Sequence, residues 1–188
     1  MATEVEAKLK VDSHEAVRGR LRALGAEPRG QVLEVNHIFD NAHRSMLAGD
    51  RGLRLRECRD ERGELVRAVL TYKGPRVPGS IKRREEIEIV VDDPVAAGTM
   101  LERLGFVEAV RFEKRRETWR LNGCLVELDE VPYLGLFVEI EGPDEGRIEQ
   151  VRGELGLSGA PLVHGSYIGL LVRHCEEHGL PVTCITFE

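Results

Sequence analysis

No apolar run in this sequence approaches the roughly 18 residues that a membrane-spanning helix needs, and its N-terminal stretch has no signal-peptide core. Neither a membrane partner nor secretion is expected. Charge of one sign is not in excess either: the net charge is −6, so no general affinity for nucleic acid or an anionic membrane is expected. The cysteines, Cys58, Cys124, Cys175 and Cys184, are scattered with no CxxC spacing. That pattern predicts reduced, structural thiols in a cytoplasmic protein. His174, Cys175 and His178 have a spacing that mimics a metal-ligand pair on a helix, but no second cluster completes a site. A Gly-rich phosphate loop of the Walker type is also missing, so any bound phosphate must be held by side chains.

What is present is charge in alternation. The chain is 32% charged and 41% hydrophobic, and its 188 residues suffice for one sizeable core. Glu4-Val5-Glu6-Ala7-Lys8-Leu9-Lys10-Val11 reads as a strand with Glu4, Glu6, Lys8 and Lys10 on one face and apolar residues on the other. An amphipathic helix follows, with Val17, Leu21 and Leu24 on one side, Asp12 and Glu15 as a capping box and Gly25 as its stop. Further strands are expected over 32–40, 52–57, 66–73 and 83–91. The stretch 41–50 reads as loop, and so does Gly74–Ser80, whose prolines and glycines suggest a mobile lid. Asp93-Pro94 opens a second helix with Met100, Leu101 and Leu104 as its apolar face. A long strand over 110–121 turns at Asn122-Gly123, a type I′ hairpin signal, into two more strands ending at Glu141. Two helices then carry Ile148, Val151 and Leu155, and Tyr167, Leu170 and Leu171. The tail 179–188 reads as an added strand or arm on a single domain spanning 1–188.

The polar faces of these eight strands gather Glu4, Glu6, Lys8, Arg54, Arg56, Lys73, Arg84, Glu86, Glu88, Lys114, Arg116, Glu127, Asp129, Glu139 and Glu141. An antiparallel sheet with one wet face would account for polar alternation alone. These faces, however, are nearly all ionised and rich in arginine, and eight strands is a size at which a sheet closes into a barrel. An α+β fold is therefore expected: an eight-stranded closed antiparallel barrel with amphipathic helices packed outside. An ion-lined interior needs water and partners for its charges. Clustered carboxylates suit a hard cation such as Mg²⁺ or Mn²⁺, and clustered arginine and lysine suit phosphate oxygens. Together they describe a metal–polyphosphate site. Trp119, Tyr72 and Phe106 read as core, whereas Phe137 shares the phase of Glu139 and Glu141 and is a candidate base contact.

Glu4-x-Glu6-x-Lys8 resembles the ExExK signature of the CYTH superfamily, the triphosphate tunnel metalloenzymes. Later segments match in order: Leu53-Arg54-Leu55-Arg56, Leu70-Thr71-Tyr72-Lys73, Lys82 to Glu88, Lys114 to Trp119, Leu128-Asp129-Glu130-Val131 and Phe137-Val138-Glu139-Ile140-Glu141. The wording is most similar to the class IV adenylyl cyclase branch. The resemblance implies an eight-stranded tunnel that binds ATP or another triphosphate with Mg²⁺ or Mn²⁺. It implies Glu4, Glu6, Glu127, Asp129, Glu139 and Glu141 as metal carboxylates, with Glu6, Asp129 and Glu139 in catalysis. Lys8, Arg54, Arg56, Lys73, Arg84, Lys114 and Arg116 are implied as substrate contacts. Cyclisation of ATP to cyclic AMP, hydrolysis of a triphosphate and plain polyphosphate binding all remain open at this point, as does a homodimer. Relatives often carry a basic residue just before the Ser-Tyr of the last helix; here His164-Gly165 stand there.

Overall fold

The computed structural model describes residues 2–78 and 82–187, with the backbone alone at positions 2–4 and 82. The strands are β1 (Ala2–Val11), β2 (Glu27–Asn41), β3 (Gly52–Arg59), β4 (Leu65–Val77), β5 (Lys82–Val91), β6 (Phe106–Leu121), β7 (Cys124–Val131), β8 (Gly135–Glu141) and β9 (Cys184–Ile185). The helices are α1 (Glu15–Ala23), α2 (Ser45–Ala48), α3 (Pro94–Arg103), α4 (Glu145–Glu154) and α5 (Tyr167–His178). Strands run in the order β2-β3-β4-β5-β1-β8-β7-β6, and β2 pairs with β6 to close the ring. All eight of these pairings are antiparallel, which makes a closed barrel. The short β9 joins parallel to β6 beyond the end of β7, so the tail does add a strand.

Alternation decides which side chains enter the barrel. Val5, Ala7, Leu9, Trp119, Leu121, Val126, Leu128, Val138 and Ile140 point outward and bury against Val17 and Leu21 of α1 and Ile148, Val151 and Leu155 of α4. On the other side Leu101 of α3 packs on Phe39 and Leu55. A third cluster differs in kind. Phe112, Val131 and Phe137 share the phase of Lys114, Asp129 and Glu139, and they meet Tyr167, Leu171, Cys175 and Ile185. Helix α5 and β9 therefore plug one end of the barrel, on its inner residues.

Turn chemistry follows the sequence in places and departs from it in others. Asn122 and Gly123 both take positive φ (50° and 83°), as a type I′ turn requires, and Leu121 pairs with Cys124 across them. The expected capping box of α1 is replaced: His14 is the N-cap without a side-chain bond, and Ser13 Oγ accepts from the Glu15 amide. The loop expected at 41–50 contains α2, whose first amides are held by Asp40: Met46 N–H and Leu47 N–H each donate to its carboxylate at 3.0 Å. The loop expected from Gly74 is strand as far as Val77, with an irregularity between Lys73 and Arg76 that accommodates Pro75. Gly79 and Ser80, the last residues of the expected lid, lie outside the described residues. On α3 only Leu101 of the three expected apolar residues is buried. Met100 is 64% and Leu104 69% exposed, because the helix rests on a narrow line through Ala97 and Leu101.

Candidate functional site

The barrel interior collects the charged residues into two walls. On the β6-β7-β8-β1 wall, fully buried Asp129 is the hub. It accepts from Arg116 Nε at 2.7 Å and Nη2 at 2.6 Å, from Lys114 Nζ at 3.2 Å and from the Tyr167 hydroxyl at 2.9 Å. Arg116 also reaches Glu127 and Glu139, each at 2.5 Å. Lys8 Nζ lies 3.1 Å from Glu139, donates to the Gly165 carbonyl at 3.1 Å and sits 3.9 Å over the Tyr167 ring. The strands put two carboxylate pairs in direct register, Glu6 with Glu141 and Glu127 with Glu139. Like charges placed opposite one another repel.

The β2-β3-β4-β5 wall is the more basic at its centre. Arg56 reaches Glu34 at 3.2 Å and Glu88 at 3.5 Å. Arg54 Nη2 lies 3.5 Å from Thr71 Oγ1, which itself donates to Glu88 at 2.9 Å. Lys73 pairs with Glu86. Arg84 turns away from this group: its guanidinium donates to the Gly74 carbonyl at 2.8 Å and to the Asp50 carbonyl at 2.9 Å, tying β4 to the loop before β3. In the ring order β3 stands opposite β8, so Arg54 and Arg56 look across the barrel at Glu139 and Glu141.

Burial and these neighbours set the ionisation. Burial alone would raise Glu34, but Lys114, Arg116, Arg56 and Arg54 hold it well below the usual carboxylate range. Burial, reinforced by Asp129 and Glu139, pushes Glu127 up to about 8 against the pull of Arg116 and Lys114. Burial and the charges on Asp129 and Glu139 raise Tyr167 well above its ordinary value, so it stays a phenol and donates. Arg116 is raised by Asp129, Glu127 and Glu34 in spite of its burial.

The expected site residues are thus brought to one interior, with qualifications. The side chain of Glu4 lies outside the described residues. Asp129 is enclosed by two cations and a phenol rather than standing open. Among the described residues no three His, Cys, Asp or Glu side chains are grouped to hold a metal ion as they stand. The donor set itself, carboxylate oxygens in opposed pairs, fits a hard cation and no soft one. Phe137 is buried edge-on to Tyr167, with ring centroids 5.2 Å apart, so it belongs to the plug. His164 is exposed, and the adjacent position contributes only its carbonyl, to Lys8. The His174 and His178 rings stack on each other at 4.1 Å while Cys175 is buried in the plug, so these three converge on no ion. Sequence reasoning missed Glu34, Asn36 and Tyr167. On β2 the alternation of Glu34, Asn36 and Ile38 against Val35, His37 and Phe39 gives no clean polar face, and Tyr167 reads as helix core.

Comparison with known proteins agrees with this geometry. The family model described as CYTH domain matches residues 2–160. A Methanocaldococcus jannaschii protein whose name proposes an adenylate cyclase is 33% identical over 138 residues, covering 73% of this chain and 75% of that one. Among solved structures, a Pyrococcus horikoshii protein superposes with a TM-score of 0.77 at 29% identity, covering 91% of this chain and 99% of that one. A Hippeastrum protein named for adenylyl cyclase and described as having a dominant triphosphatase activity shares the fold at a TM-score of 0.68 and 23% identity, covering 95% and 97%.

Proposed function

This chain belongs to the CYTH domain family, and on that premise we propose a divalent-metal-dependent enzyme that converts ATP to cyclic AMP and pyrophosphate inside the barrel. The observation that carries the reading is the opposition of Arg54 and Arg56 on β3 to the in-register carboxylate pairs Glu6/Glu141 and Glu127/Glu139. Such an interior satisfies its charges best with a polyanion and a cation between the walls.

Lys8, Arg54, Arg56, Lys73, Lys114 and Arg116 bind the phosphate oxygens, the arginines with two-pronged contacts. Arg84 holds the wall instead, through its two carbonyls. Glu6, Glu127, Glu139 and Glu141, with Glu4, would hold Mg²⁺ or Mn²⁺, which neutralises charge building on the phosphate oxygens. Asp129 orients Arg116, Lys114 and the Tyr167 hydroxyl. In the cyclase reaction the ribose 3′-hydroxyl attacks the α-phosphorus and pyrophosphate leaves; Glu6 or Glu139 takes the hydroxyl proton. Four free cysteines fit a cytoplasmic setting, and no described helix is long and apolar enough to cross a membrane.

Hydrolysis of a triphosphate by water is the second reading. It is favoured by the burial of Phe137 in the plug, which removes the residue expected to serve as a platform for a base. One incubation series separates them. Purified protein is given ATP, inorganic triphosphate or thiamine triphosphate with Mg²⁺ or Mn²⁺, and the products are identified. Cyclic AMP with pyrophosphate is expected from ATP; ADP with orthophosphate and no cyclic AMP would replace the cyclase by the hydrolase.

A further inference from the structure

Asn36 stands out in the barrel because nothing in the fold uses it. It is 1% exposed, yet neither Oδ1 nor Nδ2 has a hydrogen-bond partner among the described residues. An unsatisfied buried amide is destabilising, so a folding role does not account for it. Two further orphan donors share its wall, Arg54 Nε and Arg56 Nε. Register explains the grouping: Asn36 pairs with Arg56, and Ile38, two residues on, pairs with Arg54. Asn36 also pairs with Phe112 of the plug on its other side, so it marks the level where the ion-lined interior meets the apolar floor.

The donors specify an anion, and the depth specifies which part of it. The far end of the barrel is open, since Val90, in phase with the inward Glu86 and Glu88, is 60% exposed there. A linear polyphosphate bearing an organic group keeps that group toward the open end and presents its terminal phosphoryl to the floor. Asn36 adds an amide donor beside the two guanidinium groups. A terminal phosphoryl group presents three unesterified oxygens, and Nδ2 can donate to the one the arginines leave. An internal or esterified phosphate has no third such oxygen.

Resting on the triphosphate reading above, we infer that Asn36, with Arg54 and Arg56, is the subsite that recognises a free terminal phosphoryl group and so discriminates against polyphosphates blocked at that end. The amide is a specificity contact to substrate.

The test is calorimetric binding to the full chain in Mg²⁺. One probe is the imido analogue of inorganic triphosphate, whose P–N–P links resist hydrolysis; the other is diadenosine triphosphate, esterified at both ends. The native protein is expected to prefer the open-ended probe. Asn36→Leu, of similar size but without hydrogen bonding, should weaken that probe by about tenfold or more, the worth of a hydrogen bond to a charged group. Its affinity for the blocked probe should stay unchanged. The melting temperature of the free variant should be equal or higher, because an orphan polar group has been removed. Asn36→Asp cannot donate, and its charge would pair with the two arginines, so it should lose the same preference; it carries the test if the leucine variant does not fold. Equal loss for both probes, or no loss for either, overturns the terminal-phosphoryl assignment alone. Failure of the native protein to bind either probe overturns the triphosphate reading, and this inference with it.

Discussion

At the scale of single residues, the charged side chains inside the barrel are held by partners. Glu6 and Glu139 carry the clearest expectation for function. Glu6→Gln or Glu139→Gln keeps the size of the side chain but removes an anion from an opposed pair. Turnover should be abolished while circular dichroism and the melting temperature show a folded barrel; full activity in both would refute their role. Arg56→Ala removes a guanidinium with one orphaned donor. It should raise KM for the triphosphate by about tenfold or more, and an unchanged KM and kcat would count against an interior phosphate site. Asp40 shows the same economy in a structural place. Burial works to raise its pKa, but the amides of Leu47, Met46 and Asn41 outweigh burial and hold the carboxyl below its ordinary value. A depressed carboxylate stabilises the fold above its unfolded pKa and ceases to do so as pH falls through the folded one. Asp40→Ala should therefore cost about 1–2 kcal/mol at neutral pH. The gap in melting temperature from the native protein should close below about pH 4.

At the scale of elements, the plug is the departure from simple alternation. Strands β2, β6, β7 and β8 each change from charged to apolar along the same inward face, through Ile38, Phe112, Val131 and Phe137. That change is where α5 docks, and the Tyr167 hydroxyl at its first turn reaches Asp129. Tyr167→Phe keeps the ring under Lys8 and the edge contact with Phe137 but removes the donor. The Asp129–Arg116–Lys114 group then loses one hydrogen bond, and activity should fall while the melting temperature drops by a few degrees, from about 1 kcal/mol. A variant indistinguishable from native in both would show that α5 is only a stopper. Outside the barrel, Gly142 is a packing constraint between β8 and α4. A Cβ there would lie 2.8 Å from Cys124 Sγ and 2.9 Å from Ile148 Cγ1, and both neighbours are fully buried.

At the scale of the whole molecule, the closed ring is what makes an ionic interior tenable. The interior charges are paired: Arg116 with Asp129, Glu127 and Glu139, Arg56 with Glu34 and Glu88, and Glu34 with Lys114 from one wall to the other. A ligand must exchange these partners rather than fill an empty slot, so binding should be coupled to stability. Inorganic triphosphate with Mg²⁺ at about 100 times its Kd should stabilise the fold by roughly 2.7 kcal/mol, read as a shift in melting temperature. No shift at any concentration would remove the interior site.

The alternation of charge in Glu4-x-Glu6-x-Lys8, Arg54-x-Arg56 and Glu139-x-Glu141 determined by itself which face of each strand is ionic. The number of such strands and the type I′ signal at Asn122-Gly123 determined that they form an antiparallel set. Those properties are local: a period of two and a turn conformation are written in consecutive residues. Tertiary structure alone decided the partners. That Asp129 is shut in by Arg116, Lys114 and Tyr167, that Arg84 faces carbonyls, and that Phe137 lies in a plug all depend on residues far apart in sequence being brought to one level. Glu34 and Asn36 were hidden because β2 mixes polar and apolar residues on both faces. Only closure of β2 onto β6 shows which of its faces looks inward.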